Sequence, residues 1–253
     1  MTNPERPGTM PAMSDFHPEC CAPLREHWPL PLFLPDVRLV STRYDVERLQ
    51  ASDFADCAIP GVAGAGKRQC EYLAGRLCAR HALHLLTGQA SIPAVGADRA
   101  PQWPAGVTGS ITHSHGQAAA LVACAVHWRG LGMDLESIMT AARSQRLAGE
   151  ILTTDELQRL ARVDPALHPW LVSLTFSAKE SLFKALYPLV GQRFYFQHAE
   201  LLEWTAEGRL RLGLLKDLNG DWRRGTTLEG QFGELDGQLL TLVGIAAGSS
   251  IVG

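Results

Sequence analysis

The pattern of apolar and polar positions changes character several times along the chain, and each change predicts an element. Residues 37–44, VRLVSTRY, are rich in β-branched side chains and predict a strand. From Lys67 to about Leu86 the run KRQCEYLAGRLCARHALHLL has good helix formers, no proline and one glycine. With Gly88 as its stop, it predicts a long helix. The apolar, proline-punctuated HWPLPLFLPDV (27–37) reads as a lead-in segment packed on a surface, and SIPAVGADRAPQWPAG (91–106) as a loop. VTGSITH and QAAALVACAVHW then predict two strands about a turn at His115-Gly116, and GLGMDLE a further one.

The second half is again mixed. Thr153 with Glu156 makes a capping box ahead of LQRLARV, and Ser177 with Glu180 makes another ahead of SLFKALYPLV. FYFQHAELLEW, RLRLGLL and QLLTLVGIAA are strand-like. Strands and helices are interspersed without strict βαβ alternation, which predicts an α+β protein with mainly antiparallel sheets. Two similar-sized lobes are expected to meet near 128–132: a flexible tail over 1–23, an N-terminal lobe over 24–129 and a C-terminal lobe over 130–253.

Composition narrows the possible chemistry. Of 253 residues 46% are hydrophobic, and the net charge is −3, so no global basic field exists to hold nucleic acid or an anionic membrane. Any phosphate binding must use local basic residues. No apolar run approaches the ~18–20 residues of a membrane span. The opening MTNPERPGTMPAMSD has no secretory apolar core, so a loose tail and a cytoplasmic protein are expected. The six cysteines form no C-x-x-C pair and read as reduced, mostly buried thiols; His81 and His84 lack a companion carboxylate motif that would make them metal ligands.

Five stretches carry candidate chemistry. GVAGAGKR (61–68) matches the phosphate-loop pattern G-x-x-x-x-G-K-[ST] until Arg68, which has no hydroxyl for Mg²⁺, and SDFADCAIP before it is a poor buried strand. In GMDLE, period-2 geometry sends Asp134 and Glu136 to one sheet face, where a divalent cation would neutralise them; a pair flanking a solvated loop fits the spacing too. In FSAKESLFKAL, Glu180 is either a capping residue with an i,i+4 partner in Lys184, or a proton acceptor or metal ligand with a phosphate-binding lysine one turn on. In GSITHS, Thr112 and His113 end a strand and could grip a pyrophosphate or be structural. Arg68, Arg76 and Arg80 share one broad side of the predicted helix, as a solvated face or a phosphate clamp.

In their order along the chain, KRQCEYLAGRLCAR, RAPQWP, GSITHS, GMDLE and FSAKESLFKALYPL resemble the signature blocks of the Sfp-type 4′-phosphopantetheinyl transferases, over roughly residues 24–246. The nearest subgroup is the bacterial one typified by the enterobactin synthetase D component. The resemblance implies a fold of two similar pseudo-twofold-related lobes with coenzyme A in the cleft between them. It implies Mg²⁺-dependent transfer of the phosphopantetheine arm to a serine of apo acyl or peptidyl carrier proteins, a reaction of the holo-[acyl-carrier-protein] synthase type. Adenosine 3′,5′-bisphosphate is released, and a monomer is expected. By the same match, Asp134 and Glu136 would hold Mg²⁺, with Glu180 as third ligand or general base, and Lys184 would meet the pyrophosphate. Thr112 and His113 would contact the coenzyme A phosphates, Arg68 and Arg76 the 3′-phosphate, and Arg99 would border the adenine region. Met133 stands where a branched aliphatic residue is usual, and Thr112 where serine is commoner; neither removes a catalytic group. Two other classes compete: a phosphate-loop nucleotide hydrolase built on 61–68, and a coenzyme A-binding module without catalysis.

Overall fold

The computed structural model describes residues 16–96 and 99–248. In chain order the elements are β1 (Arg25–Glu26), β2 (Val37–Arg43), α1 (Asp53–Asp56), α2 (Gly66–Thr87), β3 (Ala94–Val95), β4 (Pro101–Gln102), β5 (Val107–Ser114), β6 (Gln117–Cys124) and β7 (Trp128–Glu136). There follow α3 (Ala141–Ile151), α4 (Thr154–Leu160), α5 (His168–Val190), β8 (Ala199–Trp204), β9 (Arg209–Leu214), β10 (Thr227–Leu235) and β11 (Gln238–Ala246). One sheet runs β1-β2-β6-β5 and a second β7-β11-β10-β9-β8, with every described pairing antiparallel. The α+β class is as the sequence predicts.

Strand β6 shows how the layers stack. Gln117–Ala123 are all buried, so the strand is covered on both faces, as its unbroken apolar run requires. Ala120 and Val122 pack with Ala79, Ala82 and Leu83 of α2. Ala119, Leu121 and Ala123 turn the other way, onto Leu131, Met133 and Leu135 of β7 and Leu240 and Leu242 of β11. On the far side of the second sheet, Leu174, Ala178, Leu182 and Leu186 of α5 pack with Leu212 and Val243. The order is therefore α2, first sheet, second sheet, α5, with one apolar layer shared between the two sheets. Truncating a leucine such as Leu182, which is fully buried, costs about 2–5 kcal/mol in such an interior.

The long helix α2 ends on Gly88 in the left-handed conformation, φ 74°, as the sequence predicts. The β5–β6 turn uses His115 and Gly116 at φ 41° and 82°, the geometry of a two-residue hairpin. The box of Thr153 and Glu156 is present at the start of α4.

Other expectations are corrected. Ser177 caps nothing: α5 begins at His168 with a proline in its first turn, and Ser177 lies in mid-helix. The chain ahead of Ser177 is already helical, and the hydroxyls of Ser173 and Thr175 are absorbed inside it, donating back to the carbonyls of Pro169 and Leu171. FYFQHAELLEW is strand only from Ala199, because a 3-10 turn occupies Phe196–His198. The run ending in HW leaves β6 at Cys124, where His127 N–H bonds back to the Cys124 carbonyl before β7 begins. Residues 1–15 of the expected tail lie outside the described residues. Its later part is packed: Cys20 and Cys21 are buried against Cys70 and Leu73, and Cys21 bridges to Tyr44.

Candidate active site

Two edge strands, β5 and β7, meet where the sheets adjoin, and side chains replace the missing backbone ladder. Ser110 Oγ accepts from Met133 N–H at 3.0 Å, and Thr112 Oγ1 accepts from Leu135 N–H at 3.0 Å. The residues that alternate with them, Ile111 and His113, point from β5 to the other face, toward α2. Consecutive residues of one strand thus serve two half-sites.

The α2 half-site is a pocket of about 520 Å³. It brings together Arg68, Arg76, Arg99 and His113, with Glu71 and Tyr72 between the arginines. Arg76 is 5% exposed and lies over the Tyr72 ring at 4.9 Å. Its Nε and Nη1 are buried without a hydrogen-bond partner among the described residues. Orphaned guanidinium nitrogens at a pocket wall are expensive unless an anion arrives. Arg99 has φ 71°, and its N–H donates to the Gly96 carbonyl at 2.9 Å. Desolvation pushes the His113 imidazole below its usual pKa, and Glu71, with Oε2 at 3.7 Å from Nδ1, works against that. Arg80, on the same side of the helix, is not part of the pocket: its Nη1 donates to the Cys57 carbonyl at 2.5 Å.

The seam half-site lies on the α5 face of β7. Gly130 and Gly132 let α5 cross at backbone contact, since a Cβ on Gly132 would land inside the Ser181 carbonyl. That close crossing delivers Lys184 Nζ to the Met133 carbonyl at 3.0 Å and to Asp134 Oδ1 at 2.7 Å. Asp134 also accepts from Ser177 Oγ at 2.9 Å and from Thr112 Oγ1 at 3.4 Å. Burial, with Asp134 and Glu180 nearby, raises Glu136 to about 7. Burial also raises Glu180, with Lys184 opposing the shift. Asp134 therefore stands close enough to Glu136 and Glu180 to disfavour their ionisation, and the three carboxylates make a donor set that a hard divalent cation would relieve. Among the described residues no three acidic, histidine or cysteine side chains stand ready-made in coordination geometry. Asp134 is engaged by Lys184 and Ser177.

The residues expected from the sequence fall on both sides of the seam, with one reassignment. Thr112 is 3% exposed and its hydroxyl is used within the protein. It positions Asp134 and leaves the pocket to His113. Ser177 and Glu71 were not anticipated as site residues. The arginine face of α2 could have pointed to Glu71, three residues after Arg68; nothing local pointed to Ser177, whose partners Asp134 and Thr241 are remote in sequence. The phosphate-loop alternative is overturned: among the described residues no strand leads directly into Gly61, and α1 and irregular chain occupy 50–65.

The layered fold and the paired half-sites define a class, and sequence comparison agrees with it. Residues 62–123 match the 4′-phosphopantetheinyl transferase N-terminal domain, and residues 130–241 match the 4′-phosphopantetheinyl transferase superfamily. The chain is 36% identical over 193 residues to the 4′-phosphopantetheinyl transferase Svp of Streptomyces mobaraensis, covering 72% of this chain and 74% of that protein. It is 35% identical over 170 residues to enterobactin synthase component D of Salmonella typhimurium, covering 64% and 67%. To the component D of Salmonella typhi it is 40% identical over 119 residues, 47% of this chain, and the match spans about half, 48%, of that protein. The chain belongs to the 4′-phosphopantetheinyl transferase superfamily. Among the described residues no helix is long and apolar enough to cross a membrane.

Proposed function

We propose that the protein transfers the 4′-phosphopantetheine arm of coenzyme A to a serine of apo acyl or peptidyl carrier proteins, releasing adenosine 3′,5′-bisphosphate. One observation carries the reading: Thr112 and His113, adjacent on β5, join a pocket of unpaired arginine nitrogens to a lysine-bearing acidic cluster. A molecule with a phosphorylated adenosine at one end and a reactive pyrophosphate in the middle fits that arrangement.

In this reading Arg68 and Arg76 hold the 3′-phosphate, Arg99 borders the adenine, and His113 meets the pyrophosphate. Asp134 and Glu136, with Glu180 as a third carboxylate, would hold Mg²⁺. When bound, the cation neutralises charge on the pyrophosphate. Glu180, its affinity for protons raised by burial, takes the proton of the carrier serine, whose oxygen forms the new bond to phosphorus as the bond to the bridging oxygen breaks. Lys184 stands one helical turn away to stabilise the departing bisphosphate. A coenzyme A-binding module without catalysis would have no use for a half-buried carboxylate and lysine one helical turn apart beside Asp134.

The test is mass spectrometry of an apo carrier protein incubated with the protein, coenzyme A and Mg²⁺. The carrier should gain the mass of one phosphopantetheine group. An unchanged carrier, in conditions where a known transferase modifies it, rules the proposal out.

A further inference from the structure

Lys179 precedes the proposed general base Glu180, yet it turns away from it into the protein, with its side chain 1% exposed. The three protons of its ammonium are all spent: on the Ile151 carbonyl at 2.9 Å, Glu156 Oε2 at 2.6 Å and the Phe196 carbonyl at 3.0 Å. Glu156 is as fully engaged. Its Oε2 also accepts from Thr153 N–H at 2.7 Å, and its Oε1 accepts from Leu201 N–H at 2.6 Å. One ion pair therefore joins the end of α3, the start of α4, the 3-10 turn at 196–198, the start of β8, and α5. Gln197 adds a second tie, from Nε2 to the Leu152 carbonyl at 2.9 Å.

What this hub fixes is functional ground. The loop it clamps, together with Phe183 of α5, walls a groove of about 210 Å³ that opens beside Glu180. Apolar packing alone could glue α5 to this loop in several registers, whereas three directional bonds on each ion allow one. A buried ion pair is weak evidence for stability, and setting a unique geometry is the better-attested reason to keep one.

We infer that Glu156 and Lys179 are positioning residues for the transfer reaction, holding Glu180 and the wall of the adjoining groove in reactive register without touching the reacting atoms. The inference rests on the transferase reading above. A misplacement of about 1 Å at a reacting group costs on the order of a hundredfold in rate.

The experiment compares the native protein with K179M and with the charge-neutral double variant E156Q/K179M, which leaves no unpaired buried ion. Folding is checked by circular dichroism, the affinity for adenosine 3′,5′-bisphosphate by calorimetry, and carrier modification by kinetics well below each variant's Tm. The expected result for the folded double variant is native affinity for the bisphosphate, a KM for coenzyme A within about twofold of native, and kcat reduced tenfold or more. Rescued Tm without rescued kcat separates positioning from structural support. Native kcat in the folded double variant overturns the inference, and so does parallel loss of bisphosphate binding, which would make the pair a general prop. A native protein that neither binds the bisphosphate nor modifies a carrier sinks the transferase reading and this inference with it.

Discussion

Arg76, in the pocket along α2, has two buried nitrogens with no partner among the described residues, whereas Asp134, at the seam, accepts from Lys184, Ser177 and Thr112. The contrast separates recognition from reaction. Burying unpaired donors is costly, and in the proposed reading an anion supplied from outside would relieve that cost in the α2 pocket. At the seam the charges are balanced from within, by hydrogen bonds on Asp134 and by raised proton affinity on Glu136 and Glu180. One half-site waits for charge; the other stores it.

If that division is right, the largest effect belongs to the reacting half. Glu180→Gln should lower transfer about 10²–10⁴-fold, the usual worth of a general base, with affinity for adenosine 3′,5′-bisphosphate unchanged. Because Glu180 caps nothing within the continuous helix over His168–Val190 and burial disfavours its charge, losing that charge should leave thermal stability equal or slightly higher. Single-turnover mass spectrometry alongside calorimetry checks both. Equal loss of binding and turnover would erase the distinction between the halves.

The recognising half predicts a trade instead. Arg76→Met should weaken adenosine 3′,5′-bisphosphate about 10–100-fold, from the loss of charge-assisted bonds worth about 1.5–3 kcal/mol. Adenosine 5′-monophosphate, without the 3′-phosphate, should be weakened far less. The same variant should hold or raise the Tm of the ligand-free protein, because an unsatisfied buried cation is gone. A lower Tm would show that Arg76 is paid for by contacts inside the protein.

The two halves were unequally legible in the sequence. The arginine face of α2 is a local pattern, and three-residue and four-residue spacings on a 22-residue helix state directly which side chains share a face. The alternation in GMDLE likewise places Asp134 and Glu136 on one face, and the structure agrees, with Leu131, Met133 and Leu135 on the other. The bonds of Asp134 were not legible, because Thr112 and Ser177 approach it from other elements. Ser177 with Glu180 reproduces the letters of a capping box inside a helix that began nine residues earlier, at His168; propensity cannot separate the two when in-helix hydroxyl bonds hide the true start. Strand β10 carried no clear periodic signal. Thr227–Leu235 includes two glycines and alternates weakly, and it becomes a strand because β9 and β11 bracket it.

The seam itself offers a smaller test. Thr112→Val keeps the shape but deprives Leu135 N–H and Asp134 of a buried partner, so unfolding in denaturant should show a loss of about 1–3 kcal/mol. Thr112→Ser retains the hydroxyl and should stay near native in stability and turnover. If Thr112→Val instead weakened bisphosphate binding and left stability intact, Thr112 would belong to the recognising half.

The subtlest prediction concerns the stored charge. Glu136 ionises in the folded protein near 7, against an ordinary 4.5, chiefly because burial disfavours its charge and Asp134 repels it. The folded chain thus binds more protons than the unfolded chain between those values. This contribution favours folding below about pH 4.5, declines as pH rises through the interval, and is fully lost above about 7. Glu180 tilts the curve the same way, so the informative quantity is the difference between native protein and Glu136→Gln. That difference should grow in favour of the variant from pH 5 to 7.5 and then level off. Carboxyl ¹³C NMR should place the Glu136 midpoint near 7 without Mg²⁺ and lower with it, since a cation at the acidic cluster favours the charged form. A midpoint near 4.5 in the metal-free protein would mean the seam stores no charge at Glu136, and the contrast with the α2 pocket would then rest on Asp134 and Glu180 alone.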